Sequence, residues 1–300
     1  MTYNIEKNEK GELVMKNIWI VTLAIFSVIG AAFAFLSNHI SAPQPTYESD
    51  SALTVHFIDV GQADCELVIL PNGENMLIDA GNNSEGKKVV EYLKNLNITK
   101  IDYLIGTHPH ADHIGGMDTV IENMDIGKIY MPKAETNTKT FEDVLDAIDA
   151  KNLTITTAKN GVNIYNDGET TIDIIAPNSD TYDSLNNYSA VILLKYRDAS
   201  FLFSGDAEAL SEGEIEGDIS ADVLKVGHHG SSTSSSQAFL NRVNPKYAVI
   251  SCGEGNSYSH PHKETLDKLS AMNVTLYRTD LNGSIICETD GENYSWECEK

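Results

Sequence analysis

Three imidazoles and a carboxylate fall within six positions of this chain, in the stretch Thr107-His108-Pro109-His110-Ala111-Asp112-His113-Ile114-Gly115-Gly116. Neutral imidazole nitrogen is a good zinc ligand, and carboxylate oxygen serves a second, harder ion or a bound water. His108 and His110, one residue apart, can grip one ion from an extended loop, and Asp112 and His113 can turn to a second. The ordinary alternative is a polar loop whose histidines cap the next helix. With nine His in 300 residues, three in so short a stretch argue for metal.

The stretch resembles the His-x-His-x-Asp-His signature of the metallo-β-lactamase superfamily. Its surroundings, Val55-His56-Phe57-Ile58-Asp59-Val60-Gly61-Gln62, Leu77-Ile78-Asp79-Ala80-Gly81, Phe203-Ser204-Gly205-Asp206 and Leu224-Lys225-Val226-Gly227-His228-His229-Gly230-Ser231, resemble the hydrolase domain of ComEC-type competence proteins. Secreted phosphodiesterases, including teichoic-acid phosphorylcholine esterases, have related domains. The resemblance implies a four-layer αββα sandwich and a two-metal hydrolase. It implies His108 and His110 on one ion, and Asp112, His113 and a histidine of the 228–229 pair on the other. His229 is favoured as that ligand, with His228 beside it touching substrate. Asp206 matches the carboxylate that bridges the ions, and Asp79 the buried aspartate that orients the metal loop.

Several positions depart from the pattern or extend it. The superfamily's third histidine for the first ion is missing, and Asn187 stands there within Leu185-Asn186-Asn187-Tyr188-Ser189. An amide oxygen is a poorer zinc ligand than imidazole, so that site is expected to be weaker. Gln62-Ala63-Asp64-Cys65 resembles the Gln-Gly-Asp loop with its glycine replaced, and His56 and Asp59 precede it as supporting residues. His260, in Ser257-Tyr258-Ser259-His260-Pro261-His262, is the candidate phosphate contact or general acid, and Lys225 a candidate oxyanion partner. The implied cofactor is a pair of Zn2+ ions, with Mn2+ as the alternative. A water shared by two such ions loses a proton near neutral pH and becomes the nucleophile.

These residues need strands that end together. Residues 54–60, 66–70, 76–79, 103–106 and 128–131 read as strands, with helices at 87–96 and 141–150. The second half follows with strands at 171–176, 191–196, 201–204, 223–226, 247–251, 275–278 and 284–288, and helices at 237–243 and 263–271. This pattern supports an α/β fold by itself.

The amino end reads differently. Residues 18–36 are uncharged and apolar, near the roughly 20 needed to span a bilayer. Lys7, Lys10 and Lys16 precede them, and no Lys or Arg follows until Lys87, which favours a cytoplasmic amino end and an outward-facing catalytic part. The expected organisation is a tail at 1–17, a single transmembrane anchor at 18–38, a Pro-containing linker at 39–52 and the hydrolase domain at 53–300. A cleaved signal peptide is the alternative for the apolar run.

The net charge is −23, and residues 1–17 contribute nothing to it. Such acidity lacks the basic footprint that holds long nucleic acid. A small anionic substrate is another matter. Two divalent ions less two carboxylates and a hydroxide leave about +1 in the pocket. A unit pair at about 4 Å is worth roughly 4 kcal/mol at an effective dielectric near 20, while charges beyond a Debye length of about 8 Å are screened. Among the four cysteines no Cys-x-x-Cys spacing occurs, and Cys287 and Cys298, flanking Asp290-Gly291, are a candidate hairpin disulfide.

The leading expectation is thus a membrane-anchored, extracellular metal-dependent phosphodiesterase or nuclease acting on a small or oligomeric anionic phosphodiester. The alternatives are an ester, lactone or thioester hydrolase on the same fold, or a non-catalytic surface binding module with a degraded metal site. Diiron redox chemistry fits less well, because that branch replaces the second motif histidine with a carboxylate and this chain keeps His110.

Overall fold

The computed structural model describes residues 52–300 and a pair of two-residue antiparallel strands, β1 (Glu6–Lys7) and β2 (Leu13–Val14). The apolar run at 18–36 and its linker lie outside the described residues; among those described, no helix is long and apolar enough to cross a membrane. Residues 52–300 form one compact unit.

Two mixed sheets make that unit. The first contains β3 (Leu53–Phe57), β4 (Glu66–Ile69), β5 (Asn75–Ile78), β6 (Lys100–Ile105), β7 (Asp125–Met131) and β8 (Ile155–Thr157). β16 (Ile285–Thr289) and β17 (Tyr294–Cys298) return to it, giving the order β17-β16-β3-β4-β5-β6-β7-β8. The second contains β9 (Val162–Asn166), β10 (Thr170–Ala176), β11 (Val191–Tyr196), β12 (Ala199–Phe203), β13 (Val223–Lys225), β14 (Tyr247–Ile250) and β15 (Thr275–Arg278) in simple sequence order across the sheet.

Strand periodicity of two sorts side chains between layers. Leu53, Val55 and Phe57 of β3 meet Ile192, Leu194, Phe201 and Phe203 of β11 and β12 between the sheets. Leu67, Leu77 and Leu104 point the other way, onto α1 (Gly86–Asn95), α3 (Met117–Asn123) and α4 (Lys139–Ala150), which offer Val89, Leu93, Val120 and Val144. Across the molecule Leu202, Leu224 and Ala248 pack on Phe239 and Leu240 of α6 (Gln237–Val243) and Leu269 of α7 (Lys263–Ala271). Each large apolar side chain removed from water contributes roughly 1.5–3 kcal/mol. Helices therefore cover both outer faces, in the four-layer order that the resemblance implies.

The sequence reading lacks β8, α3 and β17, and two further details differ. The strand at 171–176 is present as β10, but its hairpin partner β9 is absent from the reading, although Asp167-Gly168 is a strong turn signal: Gly168 has φ +94° and Asp167 Oδ1 accepts from the amides of Glu169 and Thr170. The candidate Cys287–Cys298 disulfide is not formed, and all four cysteines, which lie within the described residues, are free. In the β16–β17 register Cys287 faces Trp296 and Cys298 faces Ile285. The two are diagonal neighbours, about 7–8 Å apart in such a ladder and beyond disulfide reach.

Candidate metal centre

The strand pairings bring the chemistry to one end of the sandwich. β5 and β6 are parallel neighbours with Ile78 opposite Ile105, so Asp79 and Thr107 leave the sheet side by side. Thr107 donates to Asp79 through its amide (2.8 Å) and its hydroxyl (2.6 Å), and His113 Nδ1 lies 2.7 Å from Asp79 Oδ2. In the other sheet β12 and β13 are parallel with Phe203 opposite Lys225, and the His228 amide donates to Gly205 O at 3.0 Å. Thr107 O accepts from the Ala190 amide at 2.9 Å and ties the histidine loop to the start of β11.

The loop then turns into α2 (Ala111–Ile114), which carries Asp112 and His113. Gly115 and Gly116 end that turn against backbone: a Cβ on Gly115 would lie 2.4 Å from Asn83 N, and one on Gly116 2.3 Å from Ala80 O. Only glycines let the metal loop lie this close to the turn after β5.

Three groups of potential ligand atoms result among the described residues, each within 4.8 Å of one another: His108 with His110 and Asp206, Asp112 with His113 and His229, and, on the Nδ1 side of His113, Asp64 with Asp79 and His113. Asp206 lies between the first two. Its Oδ1 is 3.2 Å from His113 Nε2 and 3.9 Å from His229 Nε2, and its Oδ2 is 3.6 Å from His228 Nε2 and 3.8 Å from His108 Nε2. His113 Nε2 and Asp206 Oδ1 are buried without an aligned hydrogen bond. Buried polar atoms are nearly always satisfied, and a divalent cation would satisfy both of these. The donor set of imidazoles and carboxylates fits such an ion.

The ring orientations agree with this. His113 is held at Nδ1 by Asp79 and His229 at Nδ1 by Ser251 O, 3.0 Å away, so both keep Nε2 for the centre. His229 Nε2 faces Asp112 Oδ2 at 3.2 Å. His108 Nδ1 rests near the hydroxyls of Thr107 (3.2 Å) and Ser189 (3.3 Å).

The carboxylates also hold protons on imidazoles. Burial opposes charge on His229, but Asp64, Asp206 and Asp112 outweigh it and lift the ring to about 10. His113 rises well above its ordinary value against burial, through Asp206, Asp79 and Asp112. For Asp206 burial would raise the pKa, yet His113 and His229 hold it well below the usual range. His108 goes the other way, lowered by burial and then by His113. An entering cation displaces such protons.

The remaining sequence candidates scatter. His228 sits at the rim, its Nδ1 3.0 Å from Thr233 Oγ1. His260 is half-buried beside the histidine pair, with ring centroids 5.5 Å from His228 and 6.2 Å from His229. Burial and the neighbouring His229, His228 and His262 lower it to about 4. Gln62 Nε2 lies 3.4 Å from His260 Nδ1, while Gln62 Oε1 accepts from the Gly253 amide at 3.0 Å.

Asn187 is turned from the centre. Its Oδ1 accepts from the amides of Glu208 (3.2 Å) and Ser211 (3.3 Å), and its Nδ2 donates to Glu208 Oε2 at 3.0 Å. His56 Nδ1 lies 2.9 Å from the Tyr92 hydroxyl on α1, and Asp59 braces the next turn through the Gly61 amide at 3.1 Å. Neither joins any of these groups. Lys225, the candidate oxyanion partner, is 1% exposed and bonds Asp64 Oδ2 at 2.7 Å, so its ammonium faces inward and not the cleft.

Asp64 is the residue that sequence reasoning missed. It is buried, with Oδ1 3.2 Å from His229 Nδ1 and Oδ2 3.9 Å from His113 Nδ1. Burial would raise its carboxyl, but Lys225, His229 and His113 bring it down to about 2. The available signal was the Gln-x-Asp turn together with a lysine just before the paired histidines.

Comparison with known proteins gives a consistent picture. Residues 58–254 match the profile of the Metallo-beta-lactamase superfamily. The chain is 32% identical over 251 residues to ComE operon protein 3 of Bacillus subtilis, covering 77% of this chain and 32% of that protein. It is 30% identical to Competence protein ComA of Neisseria gonorrhoeae, covering 81% and 33%. The chain thus spans about a third of the length of these relatives. Among solved structures it resembles Igni18, a metallo hydrolase from Ignicoccus hospitalis, with TM-score 0.50 and 15% identity over 78% of this chain and 98% of that one. It likewise resembles CmlA, a diiron β-hydroxylase from Streptomyces venezuelae, with TM-score 0.50 and 14% identity over 75% and 52%. Those likenesses describe the fold alone, and the fold does not choose the reaction.

Proposed function

Because the chain belongs to the metallo-β-lactamase superfamily, we propose that this metal-dependent hydrolase cleaves phosphodiesters of small or oligomeric anionic substrates. The observation that carries the reading is Asp206, whose two oxygens face two different sets of imidazoles. One divalent cation would be held by His108, His110 and Asp206 and the other by Asp112, His113 and His229, and Zn2+ or Mn2+ would suit these donors. Bound there, such ions supply Lewis acidity toward a phosphoryl oxygen and an acidified water.

The chain's own residues do the rest. Asp79 and Asp64 stand behind His113 and His229 and fix which ring nitrogen faces the centre. The Gln62 amide, whose oxygen is taken by Gly253, donates to His260 Nδ1. The proton of His260 then resides on Nε2, which is left to donate to a substrate oxygen. His228, 22% exposed at the rim, is placed to contact the substrate.

The apolar residues 18–36 with lysines before them support a single-pass anchor and an extracellular catalytic domain. The net charge of −23 disfavours stable grip on long nucleic acid. The test is turnover of bis-p-nitrophenyl phosphate, single-stranded DNA and an ester and lactone panel, with Zn2+ or Mn2+ added. Phosphodiester turnover that a chelator abolishes is expected. Turnover of esters or lactones alone would overturn the reading.

A further inference from the structure

Lys225 is among the largest fully buried side chains, and a lysine ammonium without contact to water needs a reason to be there. It stands at the end of β13 in the second sheet. Its Nζ donates to Asp64 Oδ2 at 2.7 Å and to Val226 O at 3.2 Å, and lies 3.9 Å from Glu66 Oε1. Glu66 opens β4 and Asp64 lies in the turn before it, so the ion pair crosses from one sheet to the other.

Asp64 is tied down further at its backbone. Its amide donates to Asp112 O at 3.0 Å, and its carbonyl accepts from the Gly81 amide at 2.9 Å. With Oδ2 held by Lys225, the second oxygen, Oδ1, is left buried without an aligned donor, 3.2 Å from His229 Nδ1. His229 Nδ1 therefore faces two acceptors, Asp64 Oδ1 at 3.2 Å and Ser251 O at 3.0 Å. Ser251 also reaches the network on its other side, its Oγ 3.5 Å from Glu66 Oε1.

We propose that Lys225 is a positioning residue: by pinning Asp64 across the sheets it fixes the His229 ring with its proton on Nδ1 and its Nε2 lone pair toward the metal centre. This rests on the ligand role proposed above for His229. An ammonium suits the task because it holds one carboxylate oxygen firmly without competing for the imidazole. A hydrophobic residue of similar length would fill the same slot and leave Asp64 free to turn.

The test uses the whole chain. Lys225→Met and Asp64→Asn each leave one buried partner unmatched and are expected to lower stability, so the informative protein is the double variant Lys225→Met/Asp64→Asn, which buries no lone charge. Two readouts are taken beside a thermal melt that establishes folding. In proton and nitrogen-15 NMR of the chelator-treated protein at neutral pH, wild-type His229 is expected to show a slowly exchanging Nδ1–H resonance, shifted downfield by the Asp64 and Ser251 acceptors, and the double variant to lose that protection and shift. In titration with Mn2+, the double variant is expected to bind the ion of the Asp112, His113 and His229 group 10–100-fold less tightly than wild type, the range for lost support behind a ligand. A folded double variant with the wild-type His229 Nδ1–H resonance and unchanged Mn2+ affinity would overturn the proposal and leave Lys225 a plain strut. Absence of phosphodiester turnover in wild type would count against the proposed substrate only, since neither readout involves it.

Discussion

Asp206 Oδ1 approaches His113 Nε2 to 3.2 Å while the other oxygen of the same carboxylate faces His108 and His228 from 3.8 and 3.6 Å. One side chain thus touches both ligand groups, and its removal should be felt by both. Asp206→Ala is expected to abolish hydrolysis and to lower bound metal, read by elemental analysis of protein loaded with zinc and manganese. Asp206 Oδ1 has no aligned hydrogen bond, whereas the Asp206 amide is taken by Ser189 Oγ at 3.0 Å, so the turn itself keeps its anchor. An active, fully metallated Asp206→Ala protein would refute the assignment.

Protons and cations compete for the same carboxylates. His229 is lifted to about 10 from an ordinary 6.5, against burial, by Asp64, Asp206 and Asp112. A raised imidazole contributes stability that is fully present below pH 6.5 and is lost as the pH climbs through 10. Chelator-treated protein should therefore lose urea resistance between pH 6.5 and 10, and saturating Zn2+ should flatten that slope by taking the proton's place. Binding heats measured near pH 7 in buffers of different ionisation enthalpy should report proton release. Buffer-independent heats would contradict the expectation.

The metal loop was legible because ligand type and spacing are local: His108, His110, Asp112 and His113 sit within one turn of chain. Helices α6 and α7 were legible for a similar reason, their apolar spacing being uninterrupted. Asp64 was not. Its significance depends on β13 crossing to meet the β3–β4 turn, a contact 161 residues apart in sequence. Lys225 misled for the same reason, since a lysine beside paired histidines reads as a cleft residue until its partner is known. Asn187 looked like a degraded ligand, yet its amide serves Glu208 and the Ser211 amide. The β9–β10 hairpin was hidden because Asn163 and Asn166 dilute the alternation of β9.

His56 offers a stability test away from the metal. Burial lowers its pKa to about 4 from 6.5, so the folded protein keeps the ring neutral where the unfolded chain protonates it. A lowered pKa contributes stability above 6.5 that is lost as the pH falls toward 4. At about 1.4 kcal/mol per pH unit, the single group accounts for roughly 3 kcal/mol over that window. His56→Gln is expected to reduce the acid sensitivity of the urea midpoint between pH 6.5 and 4 while lowering stability at pH 7, where the Tyr92 contact is perturbed. Equal pH slopes for variant and wild type would exclude this source of acid lability.

Two glycines in helical surroundings should respond in opposite directions to the same substitution. Gly116 has an ordinary φ of −89°, so any objection to alanine there is steric. Its added methyl would lie 2.3 Å from Ala80 O and 2.8 Å from Gly86 Cα, and backbone cannot step aside as a side-chain tip can. Ala80 also donates its amide to His113 O at 2.8 Å, so displacement of that segment moves the metal loop. Gly116→Ala is expected to cost about 3 kcal/mol and to weaken metal binding together with it. Gly213, inside α5 (Ala209–Glu214), has nothing within 4 Å of a built Cβ. Gly213→Ala should therefore stabilise by roughly 0.4–1 kcal/mol, through helix propensity and a stiffer unfolded chain, with metal affinity untouched. Urea titration and Mn2+ titration of the two variants check both halves, and a Gly116→Ala protein as stable as wild type would show that the loop has room that these contacts deny it.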